Sequence, residues 1–288
     1  MLNTKNKALL LIFSFLLMVQ ISHARHIIGG EITYVCNGGG NYTFTLLIYR
    51  DCLGNGANFD SSPGALTGTV TFFRNGSVID VRDLPTPIED SVEPNINNPC
   101  VEIPNNVCVE RGVYVFDYNF PESPDTYTVS YQRCCRNNSI TNIFTPESTG
   151  ATYTIDLVPR AQELCNNSPT YNDFPPIVIC SNEKLVFDHS ATDIDGDQLV
   201  YEFCSPFVGG GLAGTGMGGG GQATDPNGVA PDPETPPPYQ NVNFILPTYT
   251  PLNPLRGNPL VSINSSTGLI TGTPQINGQF VVGVCVSE

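Results

Sequence analysis

Basic residues are scarce in this sequence, and their scarcity excludes one large class of function. The chain has 12 Lys and Arg against 27 Asp and Glu, which gives a formal net charge of -15. Contacts to nucleic-acid phosphates need clustered cations, so such a chain is a poor nucleic-acid binder. An acidic, lysine-poor chain suits a soluble extracellular protein or a cation binder instead. The sequence therefore predicts no nucleic-acid partner.

Long apolar runs are also missing, apart from one at the N-terminus. Residues 1–24 have the pattern of a secretory signal peptide, with Lys5 and Lys7 before an apolar run that ends at small residues. That run is too short for a comfortable membrane span, and no second one follows. We predict cleavage after Ala24, secretion to the extracellular cell surface, and no transmembrane span in the mature chain.

Zinc ligands are few as well. The sequence has no Cys-x-x-Cys, and after the signal peptide its histidines are His26 and His189. Behind an export signal, an even number of cysteines indicates disulfide bonds. The ten disulfide candidates are Cys36, Cys52, Cys100, Cys108, Cys134, Cys135, Cys165, Cys180, Cys204 and Cys285.

Sustained helical periodicity is absent beyond the signal peptide, whereas short alternating segments are separated by Gly and Pro. This pattern predicts an all-β fold of two tandem β-sandwich domains stapled by disulfides. The expected domains are an N-terminal β-sandwich at 25–160, a connector at 161–176 and a second β-sandwich at 177–288. The Gly/Pro-rich insertion at 208–238 in the second domain is expected to be flexible or extended, not core.

Two strand pairs are predicted in the first domain. Residues 31–36 and 41–52 flank a glycine-rich turn, which predicts a hairpin with Cys36 opposite Asn41 or Tyr42. Residues 113–120 and 125–134 alternate aromatic with other side chains, which predicts a second hairpin whose aromatic face packs on another sheet. A sugar-binding face is the alternative, but half-buried strands are commonly rich in aromatics, which favours core packing.

Local spacing suggests several disulfide pairs. Cys100 with Cys108 and Cys165 with Cys180 are close enough in sequence for local bridges, while Cys204 and Cys285 lie on strands that can be neighbours. In a hairpin Cys52 lies about 30 Å from Cys36, too far for a bridge between them. Successive strand side chains point to opposite faces, so Cys134 and Cys135 are expected to bond different partners, first Cys36 and Cys52. A vicinal redox disulfide is the alternative.

An acidic turn at 193–197 is the strongest candidate site. Asp193, Asp195 and Asp197 can direct their oxygens toward one point if the backbone curls, and Gly196 permits that curl. Clustered carboxylates suit Ca²⁺, so these three aspartates are the predicted metal ligands. An Asx-turn without a metal is the alternative, since the order differs from an EF-hand. Further ligand oxygens would come from elsewhere, with the following candidates: Asp188, Glu202, Asp225 and Asp232.

Several segments resemble known bacterial surface proteins. Residues 263–286, with TGLITGTP and then GQFVVGV, resemble the closing strands of Ig-like and cadherin-like modules. Residues 193–201, DIDGDQLVY, resemble the calcium-associated turn of cadherin-like repeats. HIIGGEITY at 26–34, YRDC at 49–52 and YQRCCRN at 131–137 are similar to the N-terminal region of gliding-motility-associated surface proteins exported by the type IX secretion system.

This resemblance implies surface display and an adhesion or matrix function, with an Ig-like or cadherin-like second domain, and it supplies no catalytic residues. Proteins of that kind carry a C-terminal sorting domain, whereas this sequence stops at Glu288 in or just after a strand. We therefore expect a fragment of a longer protein. The implied partner is an extracellular glycan, a matrix component or a cell-surface protein.

Two functions from different classes remain at this point. The first is a non-enzymatic module that acts in adhesion or as a rigid spacer. The alternative is a secreted carbohydrate-active hydrolase or carbohydrate-binding module. A glycosidase would need two carboxylates roughly 5–10 Å apart in a cleft. A flat acidic turn at a domain boundary favours the non-enzymatic module.

Overall fold

The computed structural model describes residues 27–53, 58–92, 107–211 and 229–288, and these are nearly all β. The predicted signal peptide, Cys100 and Asp225 lie outside the described residues. The first half contains β1 (Ile27–Gly38), β2 (Asn41–Asp51), β3 (Thr69–Arg74), β4 (Ser77–Asp83), β5 (Ile88–Ser91), β6 (Val109–Asn119), β7 (Tyr127–Arg133), a 3-10 helix (Pro146–Ser148) and β8 (Ala151–Leu157). It is followed by α1 (Pro159–Leu164), β9 (Thr170–Tyr171), β10 (Leu185–Asp188), β11 (Ala191–Thr192), β12 (Val200–Cys204), β13 (Ser262–Ile263), β14 (Leu269–Gly272) and β15 (Gly283–Ser287).

The all-β prediction is thus confirmed, whereas the tandem, Ig-like arrangement stays a prediction. No helix in the described ranges is long and apolar enough to cross a membrane.

The first half forms two four-stranded antiparallel sheets, in the orders β1-β2-β6-β5 and β4-β3-β7-β8. The predicted β1–β2 hairpin is confirmed, with Cys36 opposite Tyr42. The predicted hairpin between 113–120 and 125–134 is wrong, because β6 pairs with β2 and β5 while β7 pairs with β3 and β8. Alternation fixes which side chains face inward, but it does not specify the partner strand.

The two sheets share an aromatic core. Phe44 from β2 and Phe72 from β3 are both fully buried, and the ring of Phe72 stacks on Tyr118 with centroids 3.8 Å apart. Tyr114 and Phe120 are also buried in this cluster. The aromatic residues of β6 therefore pack in the core, as favoured from the sequence, and they do not form an exposed sugar-binding face.

The second half is built from smaller antiparallel sheets, in the orders β10-β14-β13, β12-β15 and β9-β11. Side chains alternate along β12, with Tyr201 and Phe203 buried and Glu202 exposed. Neither residues 177–180 nor residues 242–246 form a strand. Both are short apolar runs, and such a run does not by itself specify a strand.

A segment between β7 and β8 joins the two halves. Asn142 is fully buried, and its amide donates to the carbonyls of Val281 at 2.8 Å and Pro254 at 3.1 Å. The backbone N–H of Val281 donates back to Asn142 Oδ1 at 2.9 Å. The next residue, Ile143, packs in one apolar cluster with Phe244 and other residues of the second half. One core cluster is therefore assembled from both sides of the predicted connector.

The described end of the Gly/Pro-rich insertion, residues 229–239, forms a segment that we call the strap. The strap lies against the face of the β4-β3-β7-β8 sheet that points away from the aromatic core. Cys134 N–H donates to the Val229 carbonyl at 2.8 Å, and the Thr69 hydroxyl donates to the Pro231 carbonyl at 3.2 Å. This part was expected to be flexible or extended and outside the core, and composition gives no sign of the hydrogen-bond partners that the sheet supplies to it. Residues 212–228 lie outside the described residues.

The disulfides correct most of the predicted pairs. The structure joins Cys36 to Cys165, Cys52 to Cys108, Cys134 to Cys135, and Cys204 to Cys285. The pairing of Cys204 with Cys285 matches the prediction, and the bond between Cys134 and Cys135 matches the vicinal alternative, whose redox role stays a prediction. Local bridges from Cys108 to Cys100 and from Cys165 to Cys180 are wrong, as are separate partners for Cys134 and Cys135.

The cause of these errors is topology. Cys36 and Cys165 are 129 residues apart in sequence, yet their Cα atoms lie 5.4 Å apart, a contact that local spacing cannot indicate. Cys180 has no disulfide partner within the described ranges.

Candidate metal site at the acidic turn

The side chain of Asp193 organises the acidic turn. Its Oδ1 accepts hydrogen bonds from the backbone N–H groups of Asp195 and Gly196 at 2.8 Å each, and from that of Asp197 at 3.0 Å. Gly196 has φ of 84°, a conformation that glycine adopts at little steric cost. The backbone therefore forms the Asx-turn, held by the Asp193 side chain.

The three carboxylates converge as the sequence predicts. One oxygen from each of Asp193, Asp195 and Asp197 lies within 4.8 Å of the other two. Oxygens bound to one Ca²⁺ lie about 2.3–2.6 Å from the ion, so two of them can be up to about 5 Å apart. The spacing therefore fits a single hard cation.

One oxygen of the turn is left without a partner. Oδ2 of Asp193 is enclosed, and no described residue donates a hydrogen bond to it. Buried polar atoms are nearly always hydrogen-bonded, and an exception needs an explanation such as an ion or a water molecule. Two further carboxylates lie close to that of Asp193, so a cation can satisfy this oxygen and also offset the repulsion among the three groups.

The turn is tied to the predicted connector through Asn167. The backbone N–H of Asn167 donates to Asp195 Oδ2 at 2.7 Å, and its side-chain amide donates to both oxygens of that carboxylate. Asn167 Oδ1 in turn accepts from the Cys36 N–H at 2.8 Å. The Tyr34 N–H donates to the neighbouring Ser168 hydroxyl at 2.8 Å. The acidic turn is thereby linked to the edge of β1 in the first half.

Glu288 is a fourth acidic group at the site, and sequence reasoning missed it. Its carboxylate accepts a hydrogen bond from the Asn166 amide. Burial raises the pKa of Glu288, and repulsion from Asp193, Asp197 and Asp195 adds to that rise. The position follows from the pairing of β12 with β15, which sets Ser287 opposite Val200. Since β12 directly follows the turn, the end of its partner strand returns to the same place.

The other oxygen donors suggested from the sequence do not join the three aspartates. Asp188 accepts from the Ser190 N–H at 3.1 Å in a separate turn. Glu202 points outward from β12, opposite Cys285, and Asp232 belongs to the strap. Asp225 lies outside the described residues. Glu288, whose pKa is raised in part by repulsion from all three aspartates, is the additional carboxylate that the fold brings to the turn.

Comparison with known proteins found no family model, no curated protein and no solved structure that matches this chain. The chemistry of the turn follows from its own donors, which are all oxygens and mostly charged. Such a set suits hard cations such as Ca²⁺ better than softer transition metals, which prefer sulfur and imidazole.

Proposed function

We propose that this protein is a non-enzymatic extracellular surface module, acting in adhesion or as a rigid spacer, in which Ca²⁺ bound at the acidic turn stiffens the junction between two β-sandwich halves. The observation that carries the proposal is the convergence of three aspartates on a turn whose Asp195 is hydrogen-bonded to Asn167 of the connector. The predicted signal peptide and the similarity to gliding-motility-associated surface proteins support the location.

The residues that would hold the ion are the three aspartates, with the carboxylate of Glu288 as a neighbouring acidic group. A bound cation supplies positive charge that relieves the repulsion among these four carboxylates. It would satisfy the unpartnered Oδ2 of Asp193 and hold the end of β15 against the turn. Because Asn167 bonds both to the turn and to β1, a stiffer turn restricts movement of the connector.

A hydrolase is less well supported. Paired catalytic carboxylates are about 5–10 Å apart with room for a sugar between them. The carboxylates here converge within 4.8 Å, and those of Asp195 and Asp197 belong to exposed residues on a turn. Convergence of this kind favours an ion over a sugar ring.

Calcium titration followed by thermal unfolding tests the metal site. A ligand that binds only the folded state stabilises it, by about 2.7 kcal/mol at a concentration 100 times the Kd. The midpoint of the mature chain should therefore rise with Ca²⁺. Asp197→Asn should remove most of that rise, because Asp197 offers a ligand oxygen, whereas the backbone curl depends on Asp193.

The matched control is Asp173→Asn, which removes the same charge from an exposed residue outside the acidic turn. It should keep the full calcium response. A midpoint that Ca²⁺ does not move in the unchanged protein argues against the site, and an equal response in Asp197→Asn places the ion elsewhere.

Binding assays separate adhesion from a spacer role. The mature chain, loaded with Ca²⁺, can be applied to arrays of glycans and matrix proteins and to cells. Saturable binding that chelation weakens supports adhesion. Absence of binding on every surface leaves the spacer role alone.

A further inference from the structure

The strap is held by a cross-strand row of polar side chains on the sheet. Gln132 of β7 makes two hydrogen bonds to Thr235: its amide donates to the Thr235 carbonyl at 3.1 Å, and its Oε1 accepts from the Thr235 N–H at 3.0 Å. Thr71 of β3 makes two more to Glu234, accepting from the backbone N–H at 3.0 Å and donating its hydroxyl to the carboxyl. These paired contacts fix the strap in one register on the sheet.

Glu234 is the exceptional residue in this contact. It is 1% exposed, and its Oε1 has no hydrogen-bond donor among the described residues. None of the ion pairs within those residues includes it. By contrast, the buried carboxylate of Asp60 lies 3.2 Å from the guanidinium of Arg133. Glu234 is therefore a buried carboxyl without a compensating positive charge.

The charged groups around Glu234 are acidic. Asp232 lies two residues away on the strap, and its negative charge disfavours ionisation of Glu234. On the sheet, Asp83 of β4 lies opposite Thr69, and Asp156 of β8 acts on the strap residue Tyr239. The side chains of β3 and β7 that touch the strap include Thr69, Thr71 and Gln132, which are neutral. Hydrogen bonds from Thr71 and from the backbone of Gln132 and Glu234 favour the carboxylate, but burial outweighs them, and none of the groups named here carries a positive charge.

We propose that the strap is a proton-dependent latch, which stays docked while the Glu234 carboxyl carries a proton and leaves the sheet when that carboxyl ionises. A neutral carboxyl can remain buried, but an ionised one without a cation is driven toward water. The proton passes to solvent, and the exposed glutamate no longer bonds to Thr71. Release would uncover the polar face of the sheet along β3, β7 and β8.

The direction of the pH effect follows from linkage. Burial raises the pKa of Glu234 to about 8, whereas a glutamate in the undocked strap has a pKa of ~4.3. Docking is therefore fully favourable at a pH below the pKa of the undocked glutamate. It weakens as the pH rises toward the pKa of the docked glutamate. One proton is involved, so the docking equilibrium should fall by up to about tenfold per pH unit in that window.

Hydrogen–deuterium exchange of the full mature chain at pH 6 and pH 8 tests the latch, after correction for the intrinsic exchange rates. Protection of peptides that cover the strap should drop by up to about a hundredfold at the higher pH. Glu234→Gln keeps the shape without the charge, so its strap should be equally protected at both values. Asp232→Asn removes the same charge nearby and should keep the pH dependence.

Equal protection of the unchanged strap at both pH values would overturn the latch, as would the same pH dependence in Glu234→Gln. If Glu234→Gln does not fold, carboxyl ¹³C resonances of the unchanged protein give the answer instead. A Glu234 titration in the range of ordinary glutamates, with the strap still docked, contradicts the proposal, and a midpoint near 8 with loss of strap protection supports it.

Discussion

At the scale of single residues, His189 has a structural role although it lies beside the acidic turn. It is 6% exposed, and its ring is stacked on that of Tyr171 with centroids 4.2 Å apart. Burial lowers its pKa to about 4, so the ring is neutral near pH 7. Nothing in the local sequence distinguishes this histidine from a metal ligand, because its stacking partner lies on a different strand.

His189 should make the fold sensitive to acid. A histidine whose pKa is lowered on folding contributes stability above its unfolded pKa of ~6.5, and this stability is lost as pH falls toward the folded value. The free energy of unfolding should therefore drop by up to about 3 kcal/mol between pH 7 and pH 4. Urea unfolding at both values measures this drop.

His189→Gln is the comparison, because glutamine stays neutral at both pH values. Burial also raises the pKa of Glu31 and of Glu234, which stabilises the fold toward acid and opposes the histidine effect. Both glutamates are present in the variant, so the difference between the two proteins isolates His189. Equal losses of stability in both would show that this histidine does not titrate on unfolding.

At the scale of secondary-structure elements, the sequence shows which residues face inward more reliably than which strands pair. The alternation in β2, β6 and β12 correctly identifies buried side chains, because a half-buried strand has a period of two. The β1–β2 hairpin is predicted because its turn is local. The strand partners of β6 and β7 are not predicted, because both strands send side chains into one core. The alternating pattern is the same whether β6 pairs with β7 or with other strands.

The pairing of β12 with β15 gives the element-scale prediction. Cys204 and Cys285 bridge these strands, and the bridge closes a loop with a sequence separation of 81 residues. Replacing both with serine should lower the free energy of unfolding by about 2–4 kcal/mol, because the unfolded chain regains loop entropy. Denaturant unfolding of the double variant measures this loss.

Cys180→Ser is the control for that experiment, since Cys180 has no disulfide partner in the part of the chain that the structure describes. It should unfold close to the unchanged protein. If the double variant is as stable as this control, the bridge contributes nothing. Peptide mapping without reduction should also recover Cys36 joined to Cys165 and Cys52 joined to Cys108.

At the scale of the whole molecule, the contacts that unite the two halves are the ones that sequence reasoning misses. Asn142 bonds to Val281 across 139 residues, and Glu234 bonds to Thr71 across 163. No local sequence pattern indicates contacts between residues that are so far apart in the chain. The predicted connector and insertion were assigned from composition, which describes the chain but not the surface on which it packs.

The candidate site likewise contains some residues that local sequence predicts and others that long-range contacts bring to it. The three aspartates lie within five residues, and a single glycine allows them to converge, so they were found from the sequence. Glu288 and Asn167 reach the turn through strand pairing and through the connector, so neither was found. The calcium proposal therefore combines a local signal with a nonlocal setting, and it is this setting that would put a bound ion at the junction.

Isothermal titration calorimetry of Ca²⁺ into the metal-free mature chain tests the proposed calcium junction most directly. We predict saturable binding of one ion per chain, abolished in a variant with Asp195→Asn and Asp197→Asn together and retained in Asp173→Asn. Titration heats that match dilution into buffer, or saturable binding that persists unchanged in the double variant, would contradict it.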